Sequence, residues 1–250
     1  MTASLLKHAL VIVAHGTREP AGAVAAGEIV DAVRACLPGV PVELAFADVR
    51  APGVPEVLRD ADPDQPVVVV PAFLAAGYHV RVDVPEQIVR SGRPDVLLAD
   101  AIGPAPAVVD AVRERLVEAG WRRGDTIVLA AAGSSDERAR ADVRRAAMLL
   151  ADQTGDPVRI GYVTTARPSV DEAVAAVRRG HRRGHRRVAV ASWLLAPGLF
   201  HRWVAEAGAD LVSEPIGAHP LLVEQIIRRY RMALAHAGHP PARCAAQPHA

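Results

Sequence analysis

Residues 67–86 read VVVVPAFLAAGYHVRVDVPE, and residues 188–206 read VAVASWLLAPGLFHRWVAE. Each stretch opens on an apolar run of the kind expected for a β-strand that is buried on both faces. In each, a glycine then precedes a short segment that carries histidine and arginine. This repeated order predicts that the chain contains two copies of one structural unit.

Three further pairs of segments support the duplication and keep the same order along the chain. LVIVAHGTR (10–18) resembles TIVLAAAGSS (126–135), VELAFADVRAPGV (42–54) resembles VRIGYVTTARPSV (158–170), and DVLLADAIGPAPAVVDAVRERL (95–116) resembles DLVSEPIGAHPLLVEQIIRRY (210–230). The implied unit of about 115 residues has an ordinary domain size. We therefore predict domains over residues 1–120 and 121–237, followed by a disordered tail over 238–250.

The fold class follows from the alternation of apolar runs with longer amphipathic stretches. In residues 104–118, for example, Val108, Val112 and Leu116 fall on one side of a helix. This pattern predicts an α/β fold in which each half forms a parallel sheet flanked by helices. In such sheets, ligands bind beyond the carboxyl ends of the strands, so residues that follow a strand are the functional candidates.

Composition excludes several classes of function. The 250-residue chain has a net charge of +1 and 4% aromatic residues, which favours neither a nucleic-acid nor a membrane partner. Its two cysteines are too few for a disulfide framework and form no CxxC pair. The longest apolar stretch, residues 67–78, is too short to span a bilayer. We predict a cytoplasmic protein.

Four strand ends in the first half deliver candidate groups, namely His15, Asp48, His79 and Asp100. Because the carboxyl ends of parallel strands meet at one edge of a sheet, we expect these side chains to converge. Neutral imidazole binds Fe²⁺, Co²⁺ and Ni²⁺ well, and carboxylate adds charge, so the set points to a metal site.

Simpler roles for the same residues stay open. A histidine after a strand also serves as a capping or hydrogen-bonding group, and Asp48 also suits the N-cap of a helix beginning near Pro52. Arg18 and Arg81 are either surface cations or contacts for an anionic ligand.

Three segments, VAHGTREPAG (13–22), AFADVRAPGVPE (45–56) and PAFLAAGYHVRVDVPEQI (71–88), resemble the signature segments of the sirohydrochlorin chelatase family. This is the CbiX/SirB type of class II chelatase, and the duplication resembles its long, two-repeat form. The resemblance implies the chelatase fold and the insertion of Co²⁺ or Fe²⁺ into sirohydrochlorin, for cobalamin or sirohaem synthesis. The metal, for which Ni²⁺ is a further option, is then a substrate, and no cofactor is permanently bound. Two repeats in one chain imply a monomer, since short members form homodimers.

The resemblance also assigns the site residues. His15 and His79 match the metal-binding histidines, and Asp48 stands as a third catalytic residue where the family usually has Glu. Tyr78, Arg18 and Arg81 are additional candidates beside them.

The second half has lost part of this set. Ala132 and Thr164 replace His15 and Asp48, while His201 lies one residue away from the position of His79. We therefore expect the metal site in the N-terminal domain and a degenerate site in the C-terminal domain. His201 is a candidate third ligand or proton acceptor.

Two other functions use the same residues. A carrier of metal or tetrapyrrole would need the same cleft and histidines without turnover. A phosphatase with His15 as nucleophile would need an arginine directly before it, where this chain has Ala14.

Overall fold

The computed structural model describes residues 8–180 and 186–237, within which the chain forms two four-stranded, all-parallel sheets flanked by helices. The predicted α/β fold, with one parallel sheet in each half, is confirmed. The predicted tail over 238–250 lies outside the described residues.

Four strands, four α-helices and one π-helical turn lie in the described part of the first half, from residue 8 on. In chain order they are β1 (Ala9–Ala14), α1 (Pro20–Cys36), β2 (Val42–Phe46), α2 (Val54–Asp60), β3 (Val67–Pro71), the π-helical turn (His79–Asp83), α3 (Val84–Ser91), β4 (Val96–Leu98) and α4 (Pro106–Glu118). The sheet order is β2-β1-β3-β4.

The second half repeats this arrangement. Its elements are β5 (Thr126–Ala131), α5 (Glu137–Thr154), β6 (Val158–Tyr162), α6 (Val170–Gly180), β7 (Val188–Trp193), α7 (Leu199–Ala205), β8 (Leu211–Val212) and α8 (Pro220–Ala237). Its sheet order, β6-β5-β7-β8, is that of the first half, so the duplication seen in the sequence extends to the topology.

One hydrophobic core joins the two halves. It contains buried side chains from the first sheet, such as Leu10 and Val68, together with Ile127 and Leu129 of the second. Helices α1, α4, α5 and α8 pack between the sheets, and the buried Tyr230 of α8 donates a hydrogen bond to the carbonyl of His8, at 2.7 Å. Because this core is shared, the division into domains 1–120 and 121–237 stays a prediction.

Arginines form ion pairs with aspartates at the amino ends of the strands in the second half. Arg178 bonds the Asp210 carboxylate and Arg187 bonds that of Asp125, both beside the amino end of β7. These two cations of the basic run 178–187 therefore lie away from the carboxyl ends of the strands; residues 181–185 are outside the described part. Within residues 8–180 and 186–237, no helix has the length and apolar character needed to cross a membrane.

Arg93 provides a stability test at the amino end of the first sheet. Its side chain is only 10% exposed, contacts both Asp95 carboxylate oxygens at 3.0 and 2.6 Å, and donates to the carbonyls of Ala61, Asp62 and Gln65. We expect Arg93→Ala to lower the free energy of unfolding by about 2–4 kcal/mol, because these acceptors lose their partner. Urea unfolding measures this.

The control for this test is Arg145→Ala, at an exposed position of α5, which should change stability by less than about 0.5 kcal/mol. The hydrogen bond from Arg93 holds the pKa of Asp95 below its usual value. The difference between wild type and Arg93→Ala should therefore be complete above about pH 4 and shrink as the pH falls further. A difference that does not depend on pH would contradict a role for the ion pair.

Candidate functional site

A cleft of about 940 Å³ lies at the carboxyl ends of both sheets. Its walls come mainly from the segments that follow β1, β3, β5 and β7, namely residues 14–19, 72–75, 77–80, 131–135 and 193–200. The position is the one expected for a ligand site in a parallel α/β sheet. Each half of the chain therefore supplies one wall.

His15 and His79 meet in the wall formed by the first half. Their ring centroids are 4.6 Å apart and the rings are inclined at 77°. The Phe73 ring lies 6.0 Å from His15 and 6.3 Å from His79, and backs the pair with an apolar surface. The expected convergence of the two histidines is thus observed.

A carboxylate that the sequence analysis did not single out orients His79. Asp83 lies one helical turn further along, and its Oδ2 is 2.9 Å from Nδ1 of His79. Gln87 donates to the other carboxylate oxygen at 2.9 Å and to the Ala47 carbonyl at 2.8 Å. A carboxylate on one ring nitrogen fixes the tautomer and leaves Nε2 as the ligating nitrogen.

The ionisation of Asp83 follows from these contacts. Partial burial raises its pKa, but the hydrogen bonds from His79 and Gln87 outweigh that effect and hold the pKa below its usual value. The group is therefore an acceptor at neutral pH, and Nδ1 of His79 carries the proton.

The turn below His15 is strained and tightly packed. Gly16 has φ of 100°, and a Cβ atom there would overlap the carbonyl of Asp48. Asp48 donates its N–H to the His15 carbonyl at 2.9 Å, and Arg50 closes a three-residue turn on the Asp48 carbonyl at 2.7 Å, with Val49 at φ of 51°. Such turns are rare and strained, so the packing around His15 is closely specified.

The second half preserves this turn without the histidine. Gly133 has φ of 96° and approaches the Thr164 carbonyl, while Thr165 has φ of 63° and Ala166 closes the turn at 2.6 Å. The backbone therefore adopts the same kind of turn after His15 and after Ala132, although the two side chains differ.

The CbiX family model matches residues 9–119 of the chain and, a second time, residues 126–233. The chain belongs to the CbiX family. The predicted resemblance, including its two-repeat form, is thereby confirmed.

Relatives of this CbiX-family chain include named enzymes. A sirohydrochlorin ferrochelatase from Priestia megaterium is 26% identical over 216 residues, which is 82% of this chain and 80% of the relative. A sirohydrochlorin cobaltochelatase from Sulfolobus acidocaldarius is 33% identical over 84 residues, 31% of this chain and 66% of that one. A solved structure of SirB from Bacillus subtilis with Fe³⁺ superposes with a TM-score of 0.77 at 25% identity, covering 93% of this chain and 97% of SirB.

Two carboxylates that were expected near the histidines are not brought to the cleft of this CbiX-family chain. Asp48 is exposed, accepts a hydrogen bond from the N–H of Val49 at 2.8 Å, and is not among the residues that line the cleft. It does not cap α2 either, since Gly53 holds that position. Asp100 is 82% exposed beyond β4, 3.5 Å from Arg229. The catalytic role of Asp48 stays a prediction.

His201 does not occupy the position of His79 in the second half. Counted from the starts of β3 and β7, the residue equivalent to His79 is Phe200, and Phe200 lines the cleft. His201 lies outside the lining, with its Nε2 3.2 Å from the carbonyl of Ser213. The expectation that His201 reaches towards the metal is therefore not supported by its placement.

Of the three remaining candidates, two line the cleft and one forms an ion pair between the two halves of the chain. Arg18 and Tyr78 line the cleft and are exposed, with the Tyr78 ring 6.0 Å from that of His79. Arg81 instead forms an ion pair with Asp136 of the second half and donates to the Ala76 carbonyl at 3.0 Å. Arg81 therefore joins the two walls rather than facing a ligand.

Among the residues that the structure describes, His15 and His79 stand as a pair and not as part of a larger set of metal ligands. Within residues 8–180 and 186–237, no group of three or more His, Cys, Asp or Glu side chains is placed to hold a metal ion together. The pair alone offers two imidazole ligands and leaves the other coordination positions open.

Gly16 tests the closely specified turn below His15. We expect Gly16→Ala to lower the free energy of unfolding by about 2 kcal/mol or more, because φ of 100° strains an alanine and its Cβ would overlap the Asp48 carbonyl. Gly27→Ala, inside α1 where an added Cβ meets no atom within 4 Å, should instead raise it by about 0.5–1 kcal/mol. Thermal and urea unfolding compare the two; equal effects of the same sign would contradict the strained turn.

Proposed function

We propose that this protein inserts a divalent metal ion, Co²⁺ or Fe²⁺, into sirohydrochlorin, and so serves cobalamin or sirohaem synthesis. The observation that carries the proposal is the pair of His15 and His79 in the wall of a cleft of about 940 Å³, in a chain of the CbiX family. Relatives in that family are a sirohydrochlorin ferrochelatase and a sirohydrochlorin cobaltochelatase.

His15 and His79 hold the metal substrate in this proposal. Imidazole suits Fe²⁺ and Co²⁺, and equally Ni²⁺, so the ligand type does not choose among them. A site with two protein ligands binds less tightly than a closed four-ligand structural site. The open positions accept the pyrrole nitrogens of the macrocycle, which allows the metal to pass from imidazole to macrocycle.

Insertion of M²⁺ into the metal-free macrocycle releases two N–H protons, and these must reach a base. His15 is exposed in the cleft directly beside His79, and we assign it the role of first proton acceptor once it leaves the metal. Asp83 keeps His79 oriented and does not itself face the macrocycle, since it is engaged by His79 and Gln87.

The macrocycle binds between the two walls. Its carboxylate side chains are matched by Arg18, an exposed cation in the lining, with the exposed Tyr78 nearby. Because one chain supplies both walls, the site is complete in a monomer. We also assign the protein to the cytoplasm, where Cys36, an exposed free thiol, would stay reduced.

The histidines provide the main test of this function. With sirohydrochlorin and Co²⁺ or Fe²⁺ mixed anaerobically, the wild-type protein should accelerate the absorption change of metal insertion. His15→Ala and His79→Ala should each reduce kcat/KM by about 100-fold or more, because a metal ligand is removed. His201→Ala is the matched control, since His201 lies outside the cleft, and it should stay within about twofold of wild type.

Two outcomes would contradict parts of the proposal. A wild-type rate no faster than spontaneous insertion would reject the chelatase function and leave binding without turnover, as in a carrier. Full activity of both His15→Ala and His79→Ala would reject the site while leaving the function in place.

Variants of Asp83 and Asp48 test which of these two carboxylates supports metal binding by the histidines. We expect Asp83→Asn to weaken Co²⁺ binding by about 10–100-fold, because the amide has no negative charge and offers one oxygen where the carboxylate accepts from both His79 and Gln87. Asp48→Asn should change Co²⁺ affinity by less than about threefold, because that side chain is outside the cleft. Calorimetric titration of Co²⁺ into the metal-free protein measures both. The reverse order would show that Asp48, and not Asp83, supports the metal.

A further inference from the structure

Helix α7 leaves three large apolar side chains partly exposed in one short segment. Leu199, Phe200 and Trp203 are 39%, 37% and 44% exposed. The rings of Phe200 and Trp203 stack with centroids 5.8 Å apart and planes 27° apart, and both Leu199 and Phe200 line the cleft. A group of exposed apolar side chains beside a cleft is the kind of surface that contacts a ligand.

The duplication gives Phe200 a particular position. It is the residue that corresponds to His79, as counted from the starts of β7 and β3. One half of the chain therefore presents an imidazole at this position and the other half presents a benzyl ring.

The lining segment that ends at Phe200 contains no charged side chain. The lining segment 193–200 consists of Trp193, Leu194, Leu195, Ala196, Pro197, Gly198, Leu199 and Phe200. By contrast, the opposite wall contains His15, His79 and the cation Arg18. Residues 193–200 therefore form an apolar section of the wall from the second half, which elsewhere lines the cleft with the cation Arg140 and the hydroxyl groups of Ser134 and Thr164.

We infer that Phe200, backed by Trp203, is the surface on which the flat face of the tetrapyrrole rests, on the side away from His15 and His79. The inference rests on the proposed function and extends it by assigning a positioning role to the second half. Aromatic rings stack in offset geometry on extended π systems, and Phe200 offers such a ring in the cleft. The macrocycle face turned to the histidines is then the one that receives the metal.

An exposed ion pair links α7 to the first half of the chain. Both guanidinium nitrogens Nη1 and Nη2 of Arg202 lie 3.2 Å from the carboxylate oxygens of Glu19. Glu19 is the N-cap residue of α1 and belongs to the loop that carries His15. This pair therefore ties the helix bearing Phe200 to the opposite wall.

The experiment separates binding of the macrocycle from binding of the metal. Metal-free sirohydrochlorin is titrated into the full-length protein and its dissociation constant is measured by absorption; Co²⁺ alone is titrated separately by calorimetry. We expect Phe200→Ala to raise the dissociation constant and the KM for sirohydrochlorin about tenfold, while the affinity for Co²⁺ changes less than twofold. Phe200→Tyr, which keeps the aromatic ring, should bind sirohydrochlorin about as tightly as the wild-type protein.

Two more variants guard against an effect on folding. Phe200→Leu keeps apolar volume without a π system and should weaken sirohydrochlorin binding with an unchanged melting temperature. Met148→Ala removes a side chain of α5 that is 61% exposed and outside the cleft lining, and should bind both ligands as wild type does.

The outcomes distinguish the inference from the function on which it rests. If Phe200→Ala and Phe200→Leu bind sirohydrochlorin as tightly as wild type, the stacking surface is rejected while the chelatase function stands. If Phe200→Ala weakens Co²⁺ and sirohydrochlorin equally, the assignment of separate roles to the two walls is rejected. If the wild-type protein neither binds sirohydrochlorin nor accelerates insertion, both proposals fail.

Discussion

The candidate site depends on the parallel pairing of β1 with β3. The register pairs Ala9 with Val67 and Val13 with Pro71, so the two strands end at the same level of the sheet. Both strands are buried on both faces, and a shift of one residue would exchange the sides of every side chain, which the packed core does not allow. His15 and the loop that leads to His79 must therefore leave the sheet at one edge.

The same constraint acts in the second half, where β5 pairs with β7 and Ala131 lies opposite Trp193. The second half keeps the strand pairing and the turn of the first half, but it has Ala132 where the first half has His15. The strained turn at Gly133 persists although no histidine precedes it. Its presence in both halves indicates that the turn belongs to the fold, where two strand-following loops must pass closely, and that it does not depend on the histidine.

The sequence was sufficient to predict the topology and the convergence of His15 and His79. Both depend on where the strands end, and the apolar runs in the sequence show those ends. It was not sufficient for side chains whose direction is set by a turn. Asp48 follows a strand as His15 does, but in the three-residue turn at Val49 its carboxylate accepts a hydrogen bond from the N–H of Val49. His201 and Phe200 differ by one position in a helix, and that offset of about 100° decides which of them faces the cleft.

Ion pairs between the two halves could not be predicted from the sequence either. Arg81 suited an anionic ligand, yet its partner is Asp136, at the start of a helix in the other half. Asp83 could have been identified from the sequence, since it stands four residues after His79. Its importance follows only once residues 79–83 are known to be helical, because that conformation brings the two side chains together.

Within residues 8–180 and 186–237, no third His, Cys, Asp or Glu side chain joins His15 and His79 in a group placed to hold a metal ion, and this bears on how a chelatase of this kind would work. A closed set of ligands would hold the metal at a free energy that the macrocycle must exceed before transfer begins. Two imidazoles would leave positions at which pyrrole nitrogens bind before the imidazoles depart, and the metal would then exchange its ligands one at a time without returning to water. Asp83 then contributes orientation rather than charge to the metal, since it contacts the far nitrogen of His79. Orientation of His79 without an added anionic ligand would let the pair bind a metal ion and still release it readily to the macrocycle.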